Sequence, residues 1–237
     1  MQSLEPQQLS KHSMQSGAVK LKVVNPVGEG SYEEWQSVRS VVFCEFTKDE
    51  SMTTIARLRG SDFDSMVERG AFNDLEPLKI ELIHGELRFM NPAGPIHEGE
   101  IEYLTNWSYA NTNRNQISLR VQSSINCGDH RPEPDLVWVR KLNSKRIRPT
   151  HDDVLLLIDV SDSRVKQDLD EKADLYAAHG IMEYWVVDVD AEQIHVHRQP
   201  SGGRYGSVEV VNKQTSIAPL SQPLAKLDLL ELFDLDS

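Results

Sequence analysis

The sequence predicts an α+β domain built on a mixed sheet with helices on its faces, and three observations predict it. From residue 78 onward, short apolar runs bounded by turn residues dominate, as strands do. Two stretches, 97–112 and 166–179, interrupt them with apolar residues at helical spacing. One run, VLLLIDV at 154–160, is apolar at all but one position, which suits a central strand covered on both sides. Strands interleaved with two helices in this order give a sheet with parallel and antiparallel neighbours and helices packed against it.

Residues 1–60 read as an extension and 61–237 as the domain proper. The first seventeen residues are Gln/Ser-rich without periodicity and are expected to be disordered. Ala18–Val24 alternates as a short strand, and Trp35, Val38, Val41, Val42 and Phe46 recur at helical spacing. Ser61, Asp64 and the later Gly70 are start and stop signals of a short helix. Leu78–Ile83 and Leu87–Met90 flank a turn and predict a hairpin. A helix over 97–112 follows, with Ile101, Leu104 and Trp107 or Ser108 on one face. Strands are expected at Ile117–Val121, Asp135–Val139 and Val154–Val160, then a helix from Lys166 to His179 closed by Gly180 as the residue beyond its C-cap. Strands at Tyr184–Val189, Gln193–Arg198 and Val208–Val211 come next, and Leu224–Phe233 reads as a short acidic amphipathic helix.

Composition narrows the function. A formal charge of -12 repels a phosphate backbone at long range, so electrostatic binding of nucleic acid by the chain as a whole is excluded. A nuclease is not, because carboxylates gathered at a metal site contribute to such an excess and a bound divalent cation inverts the local field. No stretch is apolar enough to span a membrane or to form the core of a secretory leader, so a cytoplasmic protein without membrane attachment is expected. Cys44 and Cys127 stand far apart with no Cys/His cluster, which argues for free thiols rather than a disulfide or a structural zinc.

The chemistry centres on two strands. If 135–139 and 154–160 pair antiparallel, Asp135 and Asp159 face each other with Cβ atoms about 5 Å apart. Like charges so placed need a partner. A divalent cation such as Mg²⁺, held by one or two carboxylates, is one; a turn cap for Asp135 and a basic neighbour for Asp159 are the other. Lys172 lies on the apolar stripe of the following helix, three residues after Leu169 and four before Tyr176. There it serves either as a cation beside a scissile phosphate or as the partner of Asp168 at i,i+4. Glu81, inside an apolar strand beside Lys79 and Ile83 in alternation, is a third acidic ligand or a residue of a half-solvated face. His97 is a residue of a helix start or a substrate-contacting imidazole. His195 and His197 read as exposed strand histidines.

The stretches IELIHGELRFMNPAGPIH (80–97), PEPDLVWVR (132–140) and VLLLIDVSDSRVKQDLDEKADLYAAHGIMEYWVVD (154–188), with Tyr205-Gly206, resemble the bacterial Uma-two family of putative restriction endonucleases, placed in the PD-(D/E)xK nuclease superfamily. The resemblance covers residues 61–237. It implies a restriction-endonuclease-like core and Mg²⁺-dependent phosphodiester hydrolysis, with Mn²⁺ able to substitute. Position by position, it gives Asp135 the role of the PD aspartate, Asp159 that of the second acidic ligand, and Lys172 that of the lysine this family displaces into the helix. Glu81 matches the glutamate of the ELIDGEL element, and His97 the histidine after the following loop. Three positions depart from the pattern: Asp159 stands where the family usually has Glu, His84 where it has Asp, and Ser161 where the superfamily has its ExK lysine.

The expected function is thus a metal-dependent DNA endonuclease with Asp135, Asp159 and Glu81 on the metal and Lys172 orienting the attacking water. A homodimer is expected because double-strand cleavage usually needs two active sites. The alternative is a catalytically degenerate relative that serves as a binding or assembly module of a mobile-element or defence system.

Overall fold

The structure, a computed structural model, describes residues 45–46, 56–74, 79–90, 94–144, 146–161 and 165–234, with the backbone alone at 45–46. The expectations for residues 1–17, Ala18–Val24, Trp35–Val42 and Cys44 lie outside the described residues. Glu45–Phe46 (β1) is a strand paired antiparallel with Ala56–Arg57 (β2), so the helical spacing that included Phe46 does not reach it.

Helix α1 (Gly60–Glu68) starts two residues earlier than its sequence signals suggest. Arg59 is the N-cap, and its N–H donates to the Asp62 carboxylate at 3.1 Å. Gly70, at φ +72°, ends the segment in the left-handed conformation. Strands β3 (Lys79–Ile83) and β4 (Glu86–Met90) form the expected hairpin about a two-residue turn, His84-Gly85, with both φ positive as that turn requires. Backbone hydrogen bonds between Leu82 and Arg131, 2.8 and 3.2 Å, tie the hairpin to the body of the protein.

The body is a six-stranded sheet in the order β10-β9-β8-β7-β6-β5. These strands are β5 (Ile117–Val121), β6 (Leu136–Arg140), β7 (Val154–Ser161), β8 (Glu183–Asp188), β9 (Gln193–Ser201) and β10 (Arg204–Asn212). Every neighbouring pair is antiparallel except β7 and β8, which makes the sheet mixed, as the sequence predicts. The parallel pair needs a crossover, and helix α3 supplies it. That helix runs through Val165–Gln167, a π-helical turn Asp168–Lys172, and Ala173–Ala178; the Ala173 N–H reaches back five residues to the Asp168 carbonyl.

Alternation divides the sheet between two cores. Leu136, Trp138, Leu156, Ile158, Trp185 and Val187 point to helix α2 (Pro95–Asn111), where Ile101, Leu104 and Trp107 meet them. Val137, Val139, Leu157, Tyr184 and Val186 point to the opposite face, against Ala173, Leu175 and Tyr176 of α3. The C-terminal segment closes the α2 face, but not as the helix expected over 224–233. Leu227–Asp228 (β12) pairs with Ser216–Ile217 (β11), and only Leu229–Leu232 (α4) is helical, capped by the Asp228 carboxylate. Pairing with β11 holds 227–228 extended and buries Leu227 completely, which outweighs the helical spacing. Among the described residues no helix is long and apolar enough to cross a membrane.

Candidate active site

Strand parity positions the first two carboxylates. Asp135 shares its side of the sheet with Val137, the side that faces α3. The β6–β7 register pairs Leu136 with Ile158, so one step further sets Asp135 opposite Asp159. The antiparallel juxtaposition expected from sequence is therefore present, and both side chains are buried. The Asp135 N–H donates to Asp159 Oδ1 at 3.3 Å, and the Val160 N–H donates to Asp135 Oδ2 at 2.9 Å.

Helix α3 brings Lys172 over this pair. Its Nζ lies 3.3 Å from Glu81 Oε1, 3.5 Å from Asp159 Oδ2 and 3.5 Å from Asp168 Oδ1, so the i,i+4 pair with Asp168 is present and two further acids share the lysine. It pairs with Asp168 at i,i+4, and it reaches the aspartate on the sheet. Glu81 arrives on β3 and is fully buried, which removes the half-solvated alternative. Its Oε1 accepts from the Glu133 N–H at 2.8 Å, and its Oε2 is buried without a hydrogen-bond partner among the described residues. His97, in the first turn of α2, places Nε2 3.5 Å from Asp135 Oδ2.

Thus all five residues singled out from the sequence converge, and four others join them. Lys79 Nζ lies 2.5 Å from Asp135 Oδ1. The Tyr184 hydroxyl donates to Asp159 Oδ2 at 2.8 Å. Asp168 completes the ring about Lys172, and Glu133 contributes its backbone amide. Parity could have found Tyr184, since it shares a face with Val186. Asp168 was visible only as a helix pair, and Lys79 only as a neighbour of Glu81 in alternation.

The electrostatics follow from burial and spacing. Burial alone would lower the Lys172 ammonium, but Asp159, Glu81 and Asp168 outweigh it and hold the group charged, well above its ordinary range. Burial pushes the Asp159 carboxyl upward, and the neighbouring acids Asp168, Asp135 and Glu81 add to this against the pull of Lys172. Asp135 goes the other way. Burial raises it, yet His97 and Lys79 together hold it well below the usual carboxylate range. Glu133 is pushed up to about 7, mainly by burial.

A second group of ionisable side chains lies where the supporting segments meet. His84 of the hairpin turn, His130 of the loop before β6, His179 at the end of α3 and His151 of the turn before β7 form, in that order, a chain of edge-on rings with centroids 4.8, 5.6 and 5.4 Å apart. Burial, with the charges of His84 and His179, lowers His130 to about 4. The histidines of β9 are not exposed as expected. His197 is buried between Tyr184 and Tyr205, and His195 Nε2 lies 3.8 Å from Asp188, because β9 is an internal strand with both faces covered.

The donor set suits a hard divalent cation. All candidate ligands are carboxylate oxygens, and Glu81 Oε2 is a buried oxygen left without a partner among the described residues. Among the described residues no group of three or more His, Cys, Asp or Glu side chains is arranged to hold a metal ion. Mg²⁺ does not require one, since it keeps several waters and takes one or two carboxylates.

No curated protein matches this chain. Among solved structures, it resembles a crystal structure of a putative nuclease belonging to DUF820 from Anabaena variabilis ATCC 29413. The TM-score is 0.54 at 16% identity, over 65% of this chain and 89% of that one, a likeness that concerns the fold. Residues 68–230 match the Uma2 family, described as putative restriction endonuclease, and this span holds Glu81, His97, Asp135, Asp159 and Lys172. The chain belongs to the Uma2 family.

Proposed function

We propose that the protein is a metal-dependent endonuclease that hydrolyses phosphodiester bonds of DNA in the cytoplasm. In this reading Asp135, Asp159 and Glu81 hold Mg²⁺ or Mn²⁺, and Lys172 orients the attacking water. The observation that supports it most is the buried Lys172 ammonium lying within 3.5 Å of both Glu81 and Asp159, on a sheet whose family match covers all the residues involved. A structural ion pair needs one partner. Here a charged lysine is held among three acids, and one of them, Glu81, keeps an oxygen unengaged.

The metal, when bound, would polarise the phosphate and lower the pKa of its water. The Tyr184 hydroxyl fixes the rotamer of Asp159, and the Val160 amide fixes that of Asp135. Lys172 stays protonated, so turning one N–H toward a phosphate oxygen or the attacking water sets a full positive charge where negative charge develops. In this reading His97, whose Nε2 lies 3.5 Å from Asp135 Oδ2, contacts the substrate. A homodimer, with one site for each strand, completes the reading.

The test is incubation with supercoiled plasmid, with and without metal. Nicked or linear product is expected only with metal, and none with Asp135→Asn. Aspartate reaches one methylene less far than the glutamate the family usually has at 159, so Mn²⁺, which binds a given oxygen site more tightly, should support cleavage better than Mg²⁺. The degenerate-module reading draws on Ser161, standing where the superfamily has a lysine, and on the lack, among the described residues, of three or more His, Cys, Asp or Glu side chains arranged to hold a metal ion. Absence of both cleavage and metal uptake in wild type would favour it.

A further inference from the structure

Lys79 and Lys172 hold this acidic site in different ways. Lys172 has 6% of its side chain exposed, comes from a helix packed on the core, and touches three carboxylates. Lys79 has 23% exposed, sits at the first residue of β3 in the two-stranded hairpin, and touches Asp135. The oxygens of Asp135 are divided to match. Oδ2 takes the Val160 amide at 2.9 Å and faces His97 at 3.5 Å, both on the framework of the sheet and α2. Oδ1 faces Lys79 Nζ at 2.5 Å.

We infer that Lys79 is a built-in counter-ion of Asp135, one that a divalent cation must displace, and that it thereby sets the metal affinity of the site. The inference rests on the metal-dependent reading above and assigns a positioning residue to it. An ammonium 2.5 Å from Oδ1 already neutralises that oxygen and crowds the approach a divalent cation would use to bind it. Two cations on one carboxylate oxygen repel, so the exchange favours whichever is held better. Lys79 is the lysine able to leave, because its stem is half-buried at the mouth of the site, whereas withdrawal of Lys172 would strand Glu81, Asp159 and Asp168. The arrangement keeps Asp135 neutralised without metal and makes occupancy a competition.

The test needs no nucleic acid. Mn²⁺ is titrated into wild type, Lys79→Met and Lys79→Arg, and free Mn²⁺ is read by its electron paramagnetic resonance signal. Lys79→Met keeps the stem and removes the charge, and it should bind Mn²⁺ about tenfold more tightly; Lys79→Arg should stay near wild type. Lys213→Met, which removes a cation paired with Glu192 beside the turn between β8 and β9, controls for net charge and should leave the affinity unchanged. Lys79→Gln replaces the methionine variant if circular dichroism shows that variant unfolded. Equal or weaker binding in the folded neutral variant overturns the inference while wild-type binding leaves the nuclease reading standing. Equal tightening in Lys213→Met also overturns it, reducing the effect to bulk charge. Failure of wild type itself to take up Mn²⁺ removes the nuclease reading and the inference with it.

Discussion

The two faces of the central sheet are built on opposite plans. On the α2 face three tryptophans pack together, Trp107 with Trp138 at 5.3 Å and with Trp185 at 6.1 Å between ring centroids. Each indole N–H there has its own acceptor: the Lys226 carbonyl, Ser108 Oγ and Glu183 Oε1, at 2.9–3.0 Å. On the α3 face the acids outnumber the cations, the bonds are shared, and Glu81 Oε2 and the Tyr176 hydroxyl have no hydrogen-bond partner among the described residues. Packing and charge are thus kept on separate faces. The α2 face satisfies every indole group and carries the packing, so the α3 face can hold charge in a dry place at a cost to stability that α2 offsets.

The strongest way to break this division is Lys172→Ala. Under the proposed function it should reduce cleavage by a factor of about 10² or more, since that reading sets the Lys172 charge against the phosphate. It should also cost about 3–5 kcal/mol in urea unfolding, because three acids are left around an empty centre. Loss of activity with unchanged stability would show that the acids do not depend on this lysine. Trp138→Ala is the matching change on the other face. It should cost about 3–5 kcal/mol by cavity formation while cleavage per folded molecule stays at the wild-type rate. A fall in that rate would mean that the faces are coupled through the sheet.

A smaller effect is expected at an exception to this division, Glu100, a carboxylate buried along α2. Burial raises it to about 7 from an ordinary 4.5. Between those values the folded protein binds more protons than the unfolded chain, so this group makes stability fall as pH rises from 4.5 to 7, with the full penalty above 7. Glu100→Gln should therefore raise Tm by a few degrees at pH 8 and change it little near pH 4.5, as differential scanning calorimetry would read. His130 acts with the opposite sign. Its value is lowered to about 4, so stability is lost as pH falls from 6.5 toward 4, and comparing variant with wild type at each pH cancels it.

The sequence was most legible where a strand pattern and a local charge coincided. VLLLIDV and DLVWV each showed an apolar strand with one acid at its end, and antiparallel pairing then determined that Asp135 and Asp159 would meet. Lys172 was legible by helical phase, whereas alternation within β3 left Glu81 open between the site and a half-solvated face, and only its burial decides. What failed depended on contacts distant in the chain. The 224–233 segment had helical spacing, but β11 was available to pair with it. His195 and His197 had the alternation of an exposed strand, but β9 has neighbours on both edges and a buried face. The four clustered histidines come from four separate segments, and no spacing in the sequence announces them.

The π-helical turn at Asp168–Lys172 has a consequence for how this site can change. An α-helix advances about 100° per residue, so one extra residue in a turn shifts everything after it by about that angle relative to everything before. The shift lets Asp168 and Lys172 point at the carboxylates while Leu175 and Tyr176 still reach the core. Removing one residue from the turn would put the two halves of the helix out of step. Either Asp168 would swing away from Lys172, or Lys172 and Tyr176 would together leave their places. Substitutions in this segment therefore alter the site by degrees, whereas a single deletion would misaim the whole helix.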